Sequence, residues 1–303
     1  MKQFLTGLVA ISVIVIIGLL AFTLYEKSAK LGQYKREVSG VRTDYTNLQN
    51  QFDDYVARSK NLRNIVVSAK TPDSKHLKIA DKIYDYAQKT NGDLSIYYKN
   101  LTTEETIFID PDKKYYMASL YKVILTLYLL DKVKSKELTL DEKVGTTSAT
   151  LEFALDKIIT ESNNEYAQTL AEQYGWKEIE TKMKEKLGIE FSFSEGLEIS
   201  IKSVGLLFED IALSIKVSSD ETSFLLNLLK DQKKTSKLPK YLPASIYSHN
   251  KTGEFEEFSH DAGIFYTPKA NYILVFMSKT KMPAETDEQM ALMSKEIYGA
   301  LND

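Results

Sequence analysis

Three short stretches carry residue types and spacings suited to covalent chemistry at a carbonyl. In Met117-Ala118-Ser119-Leu120-Tyr121-Lys122, a serine precedes a lysine by three residues at the start of a strongly apolar run. On a helix both fall on one face. A serine hydroxyl is a poor nucleophile until a neighbouring base takes its proton, and a lysine desolvated beside another cation can be that base. Ser248/Lys251 and Ser278/Lys281 repeat the spacing, but they fall in or beside strand-like segments, where residues three apart face opposite ways. The plainer role for Ser119 is a helix cap.

The second stretch, Ile159-Thr160-Glu161-Ser162-Asn163-Asn164, leads into another helix. From one loop Ser162 could relay a proton, and Asn164 could bind a substrate amide or the lysine. Ordinary N-capping is the reading this segment alone favours. The third is Lys251-Thr252-Gly253, at the end of a strand. Alternation puts Lys251 and Gly253 on one face, with the glycine letting a ligand approach the backbone. A cation and a hydroxyl there suit a substrate carboxylate, and an exposed strand end turning into a loop is the alternative.

The elements that must position these groups begin after Pro72. Asp73–Gln88 has helical periodicity and ends at Asn91-Gly92. Leu94–Tyr98 and Thr106–Ile109 read as a hairpin. A helix-rich middle runs from Tyr116 to about Lys230. Strand texture returns in Ile246–Lys251, Gly263–Thr267 and Tyr272–Met277, and Glu285–Leu301 is a final amphipathic helix. This order predicts an α+β fold: an antiparallel sheet flanked by terminal helices, with an all-helical subdomain inserted between its strands.

Together the three motifs, in this order, resemble the serine penicillin-recognising superfamily of class A β-lactamases and penicillin-binding proteins. The resemblance runs from about Pro72 to the C-terminus and includes the contexts ITESNNEYA and KTG followed by HDAGIFY. It implies a β-lactamase/transpeptidase-like fold with Ser119 as the acylated nucleophile, Lys122 as its proton partner and Ser162 as a further catalytic group. Asn164, Lys251, Thr252 and Gly253 would line the substrate site, and the backbone N–H groups of Ser119 and Glu254 would form the oxyanion hole. Asn163 departs from the S-D-N form. Only thirty-five residues separate Asn164 from Ser200, shorter than the family's usual stretch around its deacylating glutamate. Glu190, Glu195 and Glu198 lie there without the family's sequence context, and each reads as a surface carboxylate.

Composition narrows the function classes. The 303 residues carry 39 lysines and arginines against 42 acids, a net charge of −3, which argues against a nucleic-acid binder. There is no cysteine, which excludes disulfides, thiolate zinc sites and cysteine nucleophiles. Nothing implies a metal or organic cofactor. The lone Trp176 reads as packing.

The first 71 residues have a different texture. Phe4–Leu24 is twenty-one positions without a charge, the length of a membrane-crossing helix. From Leu31, positions spaced alternately three and four apart through Val66 are apolar or aromatic at ten of eleven places, a coiled-coil pattern compatible with a homodimer. The expected organisation is a transmembrane anchor over 1–25, a helical stalk over 26–71 and a catalytic domain over 72–303. By the resemblance, the substrate is a peptidoglycan stem peptide or a β-lactam. Such substrates lie outside the cytoplasmic membrane, so the expected place is the cell membrane, single-pass, with the catalytic domain extracellular in a Gram-positive bacterium. The rivals are a true class A β-lactamase and a non-catalytic scaffold of the same fold.

Overall fold

The computed structural model describes residues 23, 26–28, 30–50, 65–68, 74–90 and 92–302. The chain divides into two compact units, Met1–Asp54 and Tyr55–Asp303. In the first, residues 30–50 form helix α1, with Leu31, Tyr34, Val38, Val41 and Tyr45 each more than half exposed along it. Phe52, Tyr55, Ser59 and Leu62 of the expected seam lie outside the described residues. Val66 does not continue that seam: Ile65–Ser68 is strand β1, paired antiparallel with a later strand. A short continuous apolar run such as Ile65-Val66-Val67 satisfies a heptad template and a short strand equally well, and here tertiary pairing decides.

The expected membrane placement is corrected. No helix among the described residues is long and apolar enough to cross a membrane. The 4–24 segment on which that expectation rested lies, apart from Thr23, outside the described residues.

The second unit is built on a six-stranded antiparallel sheet in the order β1-β3-β2-β9-β8-β7. Its strands are β2 (Asp93–Asn100), β3 (Thr106–Ile109), β7 (Tyr247–Phe255), β8 (Phe258–Tyr266) and β9 (Tyr272–Lys279), with β1 at one edge and β7 at the other. Helices α2 (Ser74–Lys89) and α9 (Pro283–Asn302) cover one face. Leu94, Ile96, Tyr98, Leu274 and Phe276 point to that side, while Tyr97, Ile273, Val275 and Met277 point to the other. Both faces are covered, so β2 and β9 are buried almost throughout, and β9 reads as an unbroken apolar run from Tyr272 to Met277.

The second face carries the inserted block: α3 (Tyr121–Lys134), α4 (Leu151–Thr160), α5 (Asn164–Tyr174), α6 (Trp176–Leu187), α7 (Ile201–Leu213) and α8 (Ser219–Lys230). Helix α3 runs through the middle of this block and is buried at every position from Lys122 to Leu130, the expectation for a helix apolar all round. Helix α7 closes directly on the sheet at Gly205, where a Cβ would stand 2.6 Å from the Tyr97 ring. Two short strands between α6 and α7, β5 (Phe191–Ser192) and β6 (Glu198–Ser200), join β4 (Lys114–Tyr116), the strand just before the Ser119 turn, in a second small sheet of order β4-β6-β5. The α+β architecture expected from the sequence is what the chain adopts.

Candidate active site

Ser119 occupies a single 3-10 turn, Ala118–Leu120, between β4 and α3. Ala118 takes φ +47°, in the left-handed region, a conformation that costs of order 1–3 kcal/mol for a non-glycine residue and persists only when its surroundings impose it. Three contacts do so. Met117 N–H donates to the Leu197 carbonyl at 2.7 Å, prolonging the β4–β6 ladder. His260 Nε2 lies 2.8 Å from the Tyr116 carbonyl, and its Nδ1 accepts from the Ser278 N–H at 3.2 Å. Nδ1 is an acceptor, so Nε2 carries the proton and donates it. Burial lowers the ring's pKa to about 4, so His260 stays a neutral strut at neutral pH. The third contact is at Gly253, where a Cβ would stand 3.0 Å from the Met117 carbonyl. That glycine admits the nucleophile's own turn; the ligand expected against this backbone is replaced by the protein itself.

The capping reading of Ser119 falls away, while that of the second stretch holds at Asn163 alone. Leu120 is the residue before α3 and no side chain caps that helix, so Ser119 is not a cap. In the second stretch Asn163 caps α5, accepting from Tyr166 N–H at 2.9 Å. Ser162, held at φ +60°, and Asn164 are left to face Lys122.

Lys122 is completely buried. Its Nζ lies 2.6 Å from the Ser162 carbonyl, 2.5 Å from Asn164 Oδ1, 3.2 Å from Ser119 Oγ and 3.3 Å from Ser162 Oγ. The two shortest contacts go to oxygens that only accept, so they claim N–H donors. The remaining valence of a neutral amine, its lone pair, is left for a hydroxyl, and Ser119 is the nearer one. Burial first, then the positive charge of Lys234, lowers the Lys122 pKa to about 8. A buried ammonium without a carboxylate loses hydration that carbonyl dipoles replace only in part.

Lys251, on edge strand β7, is also fully buried. It donates to Ser162 Oγ at 2.8 Å and to the Thr252 carbonyl at 2.9 Å. Burial, followed by the charges of Lys122 and Lys234, pushes its pKa well down. Ser162 therefore bridges two lysines. Above these groups opens a cleft of 570 Å³ lined by Ser119, Asn164, Gln168 and Glu254 among polar residues, and by Tyr116, Tyr121, Trp176, Phe193 and Phe255 among aromatic ones. Of the residues singled out in the sequence, Ser119, Lys122, Ser162, Asn164 and Lys251 meet in one hydrogen-bonded group. Glu254 stands on the cleft wall, whereas Thr252 and Gly253 are buried and do not line it.

The profile of the Beta-lactamase enzyme family matches residues 78–301. The chain belongs to this family. Among solved structures its fold is similar to a β-lactamase from Chitinophaga pinensis, at 19% identity and a TM-score of 0.69 over 75% of this chain and 100% of that one. It is also similar to a class A β-lactamase from Mycobacterium abscessus (16% identity, TM-score 0.67, 74% and 99% covered). A third likeness is to a single-site mutant of PBP-A in an acyl-enzyme complex with penicillin G (17% identity, TM-score 0.66, 74% and 96% covered). At these identities the likeness is one of fold. A comparison with curated proteins finds no match.

Several features of this β-lactamase-family cleft escape sequence reasoning. Lys234 and Lys237, from the loop before β7, bind the Glu254 carboxylate at 3.0 and 3.1 Å. They lie in a lysine-rich loop without periodicity or motif, so no local signal marks them. Trp176 packs against Tyr121 and Phe193 at 5.4 and 5.6 Å between ring centres, and it also forms cleft wall. Glu180, buried on α6, accepts from Phe193 N–H, Ser194 N–H and Ser194 Oγ. Burial alone would raise its pKa, but the Ser194 N–H, the Lys184 ammonium and the Phe193 N–H hold it at about 2, and it thereby fixes the Phe193–Ser194 bend of the cleft wall. Glu190, Glu195 and Glu198 are exposed, and none lines the cleft.

Proposed function

We propose that this chain is a serine acyl hydrolase that forms an acyl-enzyme on Ser119 with the amide carbonyl of a peptidoglycan stem peptide or a β-lactam. In that reaction Ser119 Oγ adds to the carbonyl carbon while its proton passes to neutral Lys122. The carbon–nitrogen bond then breaks, and the leaving nitrogen takes the proton through Ser162, which lies within reach of both lysines. Backbone N–H groups of Ser119 and Glu254 would stabilise the oxyanion. Water or a second amine then takes the acyl group and returns Ser119.

The observation that carries this reading is the Lys122 environment: a buried amine with a lowered pKa, its donors engaged by acceptor-only oxygens and a serine hydroxyl 3.2 Å away. A scaffold would have no need of that arrangement. The exposed positions of Glu190, Glu195 and Glu198 support slow deacylation, because a general base that aims water typically contributes about 10²–10⁴-fold. Carboxypeptidase- or transpeptidase-like chemistry therefore fits better than rapid β-lactam turnover. Incubation with a fluorescent penicillin followed by mass spectrometry tests the reading. A long-lived adduct on Ser119, absent in Ser119→Ala, is expected. No adduct, or one that persists in the variant, would overturn it.

A further inference from the structure

Helix α4 ends at Thr160, two residues before Ser162, and the last carbonyls of a helix lack partners within it. The loop after α8 supplies two of those partners. Gln232 Nε2 donates to the Ile159 carbonyl at 2.8 Å, and the Lys233 N–H donates to the Thr160 carbonyl at 3.0 Å. Lys233 Nζ also pairs with Glu161, but both side chains are exposed, where water screens the pair. The Gln232 bond is made out of reach of solvent, since Gln232 is 5% exposed and Ile159 wholly buried. The other end of that amide accepts from the Lys234 N–H at 3.0 Å, so only one way round serves both partners.

The same segment reaches the sheet. The Leu238 N–H donates to buried Asp261 on β8 at 3.1 Å, and Lys237 donates to Ser259 Oγ at 2.7 Å. Residues 232–238 tie the end of α4 to the sheet edge that carries Lys251. Ser162 stands at that join, its Oγ 2.8 Å from Lys251 Nζ and 3.3 Å from Lys122 Nζ. Its φ of +60° is one that a non-glycine residue keeps only when its surroundings impose it. We propose that Gln232 is a positioning residue for Ser162, holding the last turn of α4 so that the hydroxyl stays between the two lysines, in place to hand a proton to the leaving nitrogen. This inference rests on acylation of Ser119 with Ser162 as proton relay, and adds the side chain that aims the relay. A displacement of about 1 Å at such a group can cost about a hundredfold in rate.

Two acyl donors separate this role from a structural one. Benzylpenicillin loses an amide nitrogen, which must gain a proton as the carbon–nitrogen bond breaks. Phenylacetylglycyl mercaptoacetate, a thioester with the same phenylacetylamino group and a carboxylate, loses a thiolate, which departs without one. First-turnover acylation of Ser119 is followed in the full chain and in Gln232→Met, which keeps an unbranched side chain. Mass spectrometry of the adduct reads the first donor and release of the thiol reads the second. The amide-to-thioester rate ratio should fall about tenfold or more in the variant, as it should in Ser162→Ala, because only the amide needs the relay. Equal slowing of both donors, or no change in either, would overturn the role given to Gln232 and leave the nucleophile standing. If circular dichroism shows Gln232→Met unfolded, Gln232→Glu is judged by the same ratio; its carboxylate still accepts from the Lys234 N–H but cannot donate to Ile159. Failure of both donors to acylate the unaltered chain would instead remove the Ser119 reaction itself, and this inference with it.

Discussion

Four lysines lie in and around the cleft, and they divide into an inner and an outer pair. Lys122 and Lys251 are buried among hydroxyl, amide and carbonyl oxygens, and both have their pKa lowered, first by burial. Lys234 and Lys237 share the Glu254 carboxylate at the rim. The side chains are chemically identical, so the difference lies in what surrounds them. Acceptor oxygens without formal charge orient an amine yet replace its lost hydration poorly, which makes a base. A carboxylate between two ammonium groups pairs with both and holds them in place, which makes a charge clamp. The outer pair also acts on the inner one, since the Lys234 charge is the second cause of the Lys122 shift.

Replacing an inner lysine should do most. Lys122→Ala removes the proton acceptor, so Ser119 labelling should slow by about 10²–10⁴-fold while the fold persists, as labelling kinetics and circular dichroism would show. An unchanged rate would break the distinction between the pairs. Replacing an outer lysine should do less. In Lys234→Ala one cation leaves the neighbourhood of Lys122, so the midpoint of the pH–rate profile should move upward, toward the ordinary lysine value, with labelling retained. A midpoint that stays in place or falls would show that the outer pair does not tune the inner one.

Much of this was legible in the sequence because the chemistry sits in local patterns. Ser119 and Lys122 share a helix face three residues apart, and Ser162 and Asn164 share a loop. The hairpin strand Thr106–Ile109 has the bounds the residues suggest. What escaped depended on contacts between distant segments. Val66 fits a heptad as well as a strand, and only pairing with β3 decides between them. Trp176 reads as packing, and it is that and cleft wall together. Gly253 was expected to make room for a ligand and instead makes room for the Met117 carbonyl. Glu254 was read for its backbone N–H, since nothing local reveals that Lys234 and Lys237, seventeen or more residues earlier, converge on its side chain.

The central claim is that neutral Lys122 takes the proton from Ser119, and the pH dependence of Ser119 acylation tests it most directly. The Lys122 pKa is lowered to about 8, and only the unprotonated amine can accept. The rate should therefore climb with pH, reach half its maximum near 8 and level off above. It is measured by mass spectrometry of the adduct from about pH 6 to about pH 10, spanning the depressed and the ordinary lysine values. A rate that is flat across that range, or that begins to rise only near the ordinary lysine pKa, would contradict the account.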